Sequence, residues 1–88
     1  MEIIKREIAR EVEPKNGKIG VRVSVVQFKD GDYEIAVLTK QHAFDKWEID
    51  YSVFPDVFTA ETSMEVYGII QYIIAPTYYE EFGVSITF

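Results

Sequence analysis

The fold of this chain is decided by residues 19–40, IGVRVSVVQFKDGDYEIAVLTK. Two runs rich in β-branched and aromatic residues, which favour strands, flank the dipeptide Asp30-Gly31. Asp-Gly between such runs predicts a hairpin, because tight turns need the positive φ angles that glycine adopts easily. We therefore expect two adjacent antiparallel strands, 19–28 and 33–40. A two-residue loop between them would pair Phe28 with Tyr33, Val26 with Ile35 and Val23 with Leu38.

Both faces of this predicted hairpin carry apolar side chains. With that pairing, one face holds Val21, Val23, Val25, Ala36 and Leu38, and the other holds Val26, Phe28, Tyr33, Ile35 and Val37. A sheet that is apolar on both faces needs cover on both. One helix covers only one face, so we expect the other to meet a partner or a second copy of the chain.

An earlier turn is predicted at Asn16-Gly17, which is also typical of a two-residue hairpin loop. Such a loop would pair Val12 with Val21, Glu11 with Arg22 and Ile8 with Val25. Apolar side chains then face apolar side chains, and opposite charges face each other, as is favourable for cross-strand pairs. Residues 3–13 also fit a helix, since Ile4, Ile8 and Val12 are four apart, but the cross-strand pairs favour a strand.

The second half of the chain predicts a strand, a helix and a last strand. Residues 47–54 alternate, with Trp47, Ile49, Tyr51 and Val53 on one side and Glu48, Asp50 and Ser52 on the other, and Pro55 ends this strand. Thr62 and Glu65 fit a capping box that begins a helix. Its apolar face would hold Val66, Tyr67, Ile69, Ile70, Ile73 and Ile74.

Proline is expected to stop that helix at Pro76, with one further turn over 77–82 capped by Gly83. The many β-branched residues leave a strand as the alternative for this segment. Val84, Ile86 and Phe88 alternate with polar residues and predict a last strand. The sequence therefore predicts an α+β fold of order β-β-β-β-α-β, a mostly antiparallel sheet of four to five strands with one main helix on one face.

Composition indicates one small acidic domain over residues 1–88, with a formal net charge of −6 and no cysteine. We expect a cytoplasmic protein without a membrane span. The longest apolar run, 69–75, is far shorter than the ~20 residues that a bilayer requires. The N-terminal residues 1–7 also lack the apolar core of a secretory signal.

Charge and aromatic residues are unevenly distributed along the chain. Residues 1–44 hold eight bases and seven acids, a net +1, whereas residues 45–88 hold one base and eight acids, a net −7. Ten of the 13 aromatic residues also lie in the second half. This distribution disfavours direct nucleic-acid binding, which needs clustered Lys and Arg. It favours a protein partner with a basic surface.

Residues suited to catalysis are sparse. His42 is the only histidine and there is no cysteine, so a nucleophile with an orienting base is not apparent. Asp30, Asp32 and Glu34 are typical of a solvated turn, and the five glycines are scattered rather than gathered in a phosphate-binding loop. We expect no enzymatic activity, no cofactor and no metal site.

A protein-binding function is the first hypothesis. Tyrosines make effective interface anchors, and carboxylates around them steer binding toward a basic surface. The chain resembles the broad functional type of small acidic phage inhibitors, anti-CRISPR proteins among them, which engage nucleic-acid-binding surfaces. The alternative is that the aromatic residues are core and the acids a solvated rim. The predicted contact residues are Glu48, Asp50, Tyr78, Tyr79, Glu80 and Glu81.

A second hypothesis comes from the order of the predicted strands and the pattern of apolar residues along them. A strand over 3–13, further strands at 19–28, 32–38 and 47–54, and then a helix resemble the SecB-like export-chaperone family. The resemblance implies a four-stranded sheet with helices, assembly into a homodimer or homotetramer, and apolar grooves that hold unfolded polypeptides. It carries no functional residue onto this chain.

Overall fold

The chain forms one antiparallel sheet with a long helix against one of its faces, in a computed structural model that describes residues 2–86. The strands are β1 (Ile3–Val12), β2 (Gly20–Phe28), β3 (Tyr33–Lys40), β4 (Glu48–Ile49) and β5 (Phe58–Ala60). They pair in the order β1-β2-β3, and both short strands β4 and β5 pair with the remaining edge of β3. The predicted α+β class is confirmed.

The first hairpin has the predicted turn. Asn16 and Gly17 have φ angles of 53° and 77°, and the flanking Lys15 and Lys18 exchange backbone hydrogen bonds of 3.2 and 3.0 Å. The strand predicted over residues 3–13 is confirmed as β1, and the helical alternative is not observed. Its predicted pairs Val12–Val21 and Glu11–Arg22 are confirmed. The predicted pair Ile8–Val25 is wrong, because a bulge before Arg10 shifts the register and places Ile8 opposite Ser24.

The second hairpin differs from its predicted register by one residue. Gly31 has a φ of 99°, and the loop holds three residues, 29–31, rather than two. The Phe28 N–H donates to the Asp32 carbonyl at 2.8 Å, which closes this longer loop. Asp-Gly fits both loop types, since a three-residue loop also needs glycine at its last position. A slip of one residue moves every β3 side chain to the other face of the sheet.

The two faces are consequently sorted differently from the prediction. Val25 lies opposite Ile35 and Val23 opposite Val37, and all four side chains are buried beneath the helix together with Val21. The opposite side, here called the open sheet face, lies outside this buried cluster. Its apolar residues are Ile3, Ile8, Val26, Phe28, Ala36, Leu38 and Ile49. The expectation of apolar residues on both faces is confirmed, with the membership of each face corrected.

The helix begins as predicted. The Glu65 N–H donates to the Thr62 hydroxyl at 3.1 Å, and the Glu65 carboxylate accepts from the Glu61 N–H at 3.2 Å. These two bonds cap the start of α1 (Ser63–Ile69). The capping box would have the Thr62 N–H donate to the Glu65 carboxylate, whereas here the donor is the N–H of the preceding residue, Glu61. The predicted helix is therefore confirmed, and the strand alternative for this segment is not observed.

The predicted end at Pro76 is wrong. After α1 the backbone widens into a π-helical segment, Ile70–Ile74, in which the Ala75 N–H donates to the Ile70 carbonyl. A second α-helix, α2 (Ala75–Phe82), follows without interruption, and Pro76 lies at its start, where a missing N–H is tolerated. Gly83, with a φ of 67°, then ends the helix as predicted, and its N–H donates to the Tyr79 carbonyl at 2.9 Å.

The helix buries one row of side chains spaced four residues apart: Val66, Ile70, Ile74 and Tyr78. In a regular α-helix with 3.6 residues per turn, each four-residue step would rotate the side chain by about 40° from the last. The wider π turn rotates the chain less per residue and compensates for this drift. Tyr78 therefore remains over the sheet at the end of the row.

The remaining strand predictions need correction. The strand expected at 47–54 spans only Glu48–Ile49, because the Asp50 side chain accepts from the Ser52 N–H and closes a turn. Val84 and Ile86 are buried as expected but form no strand, while the other residues of that prediction, 87–88, lie outside the described residues. A fifth strand, Phe58–Ala60, precedes the helix instead, so the observed order is β-β-β-β-β-α.

Candidate protein-binding surfaces

Tyr78, one of the predicted contact residues, lies in the core with 0% of its surface exposed. Its hydroxyl donates to Asp50 Oδ2 at 2.6 Å, and the rings of Phe54 and Phe82 have their centroids 6.1 and 5.5 Å from its own. A buried phenol needs such a partner for its hydroxyl. Tyr78 is therefore a structural residue, and its assignment to a contact surface is corrected.

Asp50 is partly buried and held by hydrogen bonds rather than presented on a strand face. Its carboxylate accepts from the Ser52 N–H at 2.8 Å, from the Ser52 hydroxyl and from Tyr78. Partial burial raises its pKa, but the hydrogen bonds from Ser52 and Tyr78 outweigh burial and lower the pKa overall. Burial and the neighbouring carboxylate raise the pKa of Tyr78. The pair is thus a charged carboxylate and a neutral phenol that join the end of β4 to the helix.

The other four predicted contact residues are exposed. Tyr79, Glu80 and Glu81 lie in the last turns of α2, and Glu48 lies on β4 opposite Thr39 of β3. Three of the six predicted residues therefore share one end of the helix. Glu48 belongs to the sheet edge instead.

Large side chains extend outward along the helix. Met64 is 83% exposed, Tyr72 71% and Tyr79 64%. Residues 63–82 contain no Lys or Arg, so every charge on this helix is negative. We call Met64, Tyr72, Tyr79, Glu80 and Glu81 the outer helix surface. The predicted contact residues did not include Met64 and Tyr72. Each lies two residues from a buried residue of the helix, and two residues along a helix bring a side chain to the opposite side.

The carboxylates at the end of this surface oppose the helix dipole. Glu80 and Glu81 lie in the last turn of α2, which carries no basic residue. The C-terminus of a helix has a partial negative charge, so carboxylates there destabilise it. One cation does reach this end, since Lys18 Nζ donates to the Gly83 carbonyl at 2.9 Å. The stability of the helix therefore does not account for the two glutamates.

The open sheet face is the second candidate surface. Its strands border a shallow cavity of about 290 Å³, on the side of the sheet away from the helix. Ile8 is 54% exposed and Ile49 43%, and Val26, Ala36 and Leu38 are only partly buried. Exposed contiguous apolar patches of this kind are typical of interaction sites.

One border of the open sheet face is closed by a cation–π cluster. The Trp47 ring has both the Arg22 guanidinium and the Lys40 ammonium 4.5 Å from its centroid. Arg22 also pairs with Glu11, and Lys40 Nζ lies 3.5 Å from a Glu13 carboxylate oxygen. These basic groups are satisfied within the chain, which leaves little free positive charge at this border.

Neither a metal site nor a membrane span is found in the part of the chain that the structure describes. No group of three or more His, Cys, Asp or Glu residues among residues 2–86 could hold a metal ion. No helix there is long and apolar enough to cross a bilayer. Comparison with protein-family models, with characterised proteins and with solved structures finds no match. The outer helix surface and the open sheet face are therefore the two candidate sites of function.

Proposed function

We propose that this chain is a non-enzymatic, cytoplasmic protein-binding module that engages a basic surface of another protein through its outer helix surface. One observation carries the proposal: large, exposed side chains lie along a 20-residue helical stretch, 63–82, whose only charges are negative. The proposed partner surface is one that otherwise binds nucleic acid. The chain would then act as an inhibitor of the anti-CRISPR type.

The aromatic residues of the surface supply binding energy. Tyr72 and Tyr79 present large, stiff and amphipathic side chains to solvent. Tyrosines of this kind are common hot spots, because they bury much area at a small cost in conformational entropy. Met64 adds a flexible apolar contact at the other end of the helix.

The carboxylates supply the preference for a basic partner. Glu80 and Glu81 lie beside Tyr79 in the last turn, where they cost helix stability. Groups that lower stability and lie on an exposed surface are often retained for function. Their negative field would accelerate association with a positively charged surface and would weaken as salt is added.

Site-specific photo-cross-linking tests this surface. Replacing Tyr72 with a photoreactive phenylalanine should give cross-links to a protein in host lysate, and the same replacement at Gln41, exposed in the loop after β3, should not. The captured protein is then identified, purified without cross-linking and loaded with labelled DNA or RNA. Release of the nucleic acid by the chain supports the proposal. Cross-links of equal yield from both positions would contradict it.

A pair of matched variants measures the role of charge. Glu80→Gln with Glu81→Gln removes two negative charges from the outer helix surface, and Glu2→Gln with Glu7→Gln removes two exposed charges from the opposite end of the chain. At low salt, the first variant should weaken binding to the purified partner about tenfold, and the second by less than about twofold. Equal effects of the two variants would show a general charge effect rather than a site.

A SecB-like holdase remains the second proposed function, because the open sheet face is apolar and partly exposed. An unfolded segment could lie across Val26, Ala36 and Leu38. Suppressed aggregation of a reduced, unfolding client at near-equimolar ratio is the expected result, and Leu38→Glu should abolish it. Ordinary aggregation in the presence of the chain would remove this proposal.

A further inference from the structure

We infer that the open sheet face is the interface of a symmetric homodimer, in which it packs on the same face of a second copy and Arg6 and Glu34 form reciprocal ion pairs across the interface. This inference does not depend on the first proposed function, since the outer helix surface lies on the other side of the sheet. It competes with the holdase, which would use the same face. It concerns a face that no described part of this chain covers completely.

The centre of the face carries small or apolar side chains, with Arg22 toward one end of β2, and the strands are in register across it. Ile8 lies opposite Ser24, which lies opposite Ala36, and in a neighbouring row Arg22 lies opposite Leu38, which lies opposite Ile49. Small residues at the centre, with larger ones around it, let a second sheet approach to the ~10 Å spacing of packed sheets.

The charges of the face favour a second copy over a partner of one charge sign. Arg6 lies opposite Val26, and Val26 lies opposite Glu34, so a cation and an anion flank one apolar side chain. All three line the same cavity. The two charged residues are two strand spacings apart, about 10 Å. Neither forms an ion pair with another residue in the described range 2–86.

Symmetry converts this row into a self-complementary one. A two-fold axis that runs along β2 over Val26 exchanges the β1 side of the row with its β3 side. Arg6 of each copy then faces Glu34 of the other, while the two Val26 side chains meet at the axis. The same operation places Ile8 of one copy over Ala36 of the other. An isologous interface of this kind uses each contact twice.

The area of the face suits a moderately stable dimer. Three strands ~4.8 Å apart, with eight residues each at ~3.3 Å, give a footprint of roughly 400 Å². The accessible area is larger than this flat footprint, because side chains project from the sheet and Ile49 and Trp47 add to its margin. It approaches the ~800 Å² per partner that specific interfaces bury. Dissociation should therefore be measurable by dilution.

Complementary charge reversals test both the face and the pairing. Arg6→Glu alone and Glu34→Arg alone each place like charges against each other twice in every dimer, so each should raise the dimer dissociation constant about tenfold or more. An equimolar mixture of the two variants restores both ion pairs, and so does the double variant Arg6→Glu/Glu34→Arg. Both should therefore form dimers like the wild type.

Mass is measured by light scattering and sedimentation over a dilution series, and folding of each variant by circular dichroism. Lys46→Glu and Glu61→Arg, exposed residues that do not line the face, are the matched controls and should leave the dimer unchanged. Added salt should partly restore dimers of each single variant, because it screens like-charge repulsion.

Three results would overturn the inference. The first is a wild-type chain that is monomeric throughout the dilution series. The second is a mixture of the two single variants that stays monomeric while both are folded. The third is a monomeric wild type that binds a labelled unfolded polypeptide on this face, measured by fluorescence anisotropy and lost in Leu38→Glu, which would assign the face to clients instead.

Discussion

The bond between Tyr78 and Asp50 gives the sharpest stability prediction. Tyr78→Phe removes the hydroxyl but keeps the ring and its packing, so it isolates one buried hydrogen bond of 2.6 Å. Asp50→Ala removes the acceptor and leaves a buried phenol hydroxyl without a partner. The double variant completes a thermodynamic cycle that isolates the coupling between the two side chains.

The magnitudes follow from what each change leaves behind. A hydrogen bond to a charged group contributes about 1.5–3 kcal/mol. Asp50 keeps its bonds to Ser52 and has some access to water, so Tyr78→Phe should cost about 1–2 kcal/mol. Asp50→Ala should cost more, about 2–3 kcal/mol, because it also releases the turn at Ser52 and leaves a polar group unsatisfied. The coupling energy should be about 1–2 kcal/mol.

The pH dependence of this coupling has a definite sign. The hydrogen bonds lower the pKa of Asp50 in the folded state below its ordinary value of 3.8. A carboxyl with a lowered folded pKa stabilises the fold above its unfolded pKa, and that contribution is lost as the pH falls through the folded pKa. The cost of Tyr78→Phe should therefore be complete at pH 7 and shrink below about pH 4.

Urea unfolding followed by circular dichroism, at pH 7 and at several values below 4, measures each arm of the cycle. A cost of Tyr78→Phe below about 0.5 kcal/mol at pH 7 would refute the reasoning, since it is less than a neutral hydrogen bond contributes. A cost that stays constant to the lowest pH would refute the assignment of a charged acceptor.

Two further predictions compare a change with a matched control. Gly20→Ala should destabilise the fold by about 1–3 kcal/mol, because its Cβ would lie 2.6 Å from Cδ of the rigid Pro14 ring. Gly68→Ala should stabilise the fold by about 0.5–1 kcal/mol, because its Cβ would point from α1 into open space. Melting temperatures that move in the same direction for both variants would contradict this prediction. Glu80→Gln with Glu81→Gln should stabilise the fold at low salt by about 0.5 kcal/mol per residue and so raise the melting temperature, while Glu2→Gln with Glu7→Gln should leave it unchanged. A fall in melting temperature would show that the two helix glutamates stabilise the fold.

The two turns show how far local sequence determines register. At Asn16-Gly17 both residues adopt positive φ, so the dipeptide alone fixes a two-residue loop. At Asp30-Gly31 only the glycine does, and the loop takes Lys29 as a third residue. The apolar pattern could not distinguish the two loops, because both faces of this hairpin are apolar and either register buries a plausible set.

The helix shows where periodicity fails. A regular helix that buries Val66 and Ile70 would turn Ile73 and Thr77 inward. Ile73 is instead 42% exposed, and Ile74 and Tyr78 take the buried positions. The π segment resets the phase, and no simple pattern in the sequence places it. The sequence therefore could not decide which of Tyr78 and its neighbour Tyr79 faces the core.

The candidate surface was predicted in part for a related reason. Charge distribution identified Tyr79, Glu80 and Glu81 as an exposed group, because acids in a helix end rarely lie inside. Asp50 and Tyr78 belong together through a contact between residues 28 apart in sequence. A contact of that kind depends on the packed tertiary structure and leaves no local signal.

The π segment also means that the helix contains one residue more than its contacts require. Removing Tyr72 would restore regular α winding with both halves facing as they do now, so that the buried row would follow the ordinary spacing of four, three and four. Pro76 would then lie inside a regular helix, where proline costs about 3 kcal/mol. The extra residue and the proline thus form a compensating pair. Deleting Tyr72 alone should therefore be costly, whereas deleting Tyr72 together with Pro76→Ala should leave an uninterrupted helix on an unchanged core.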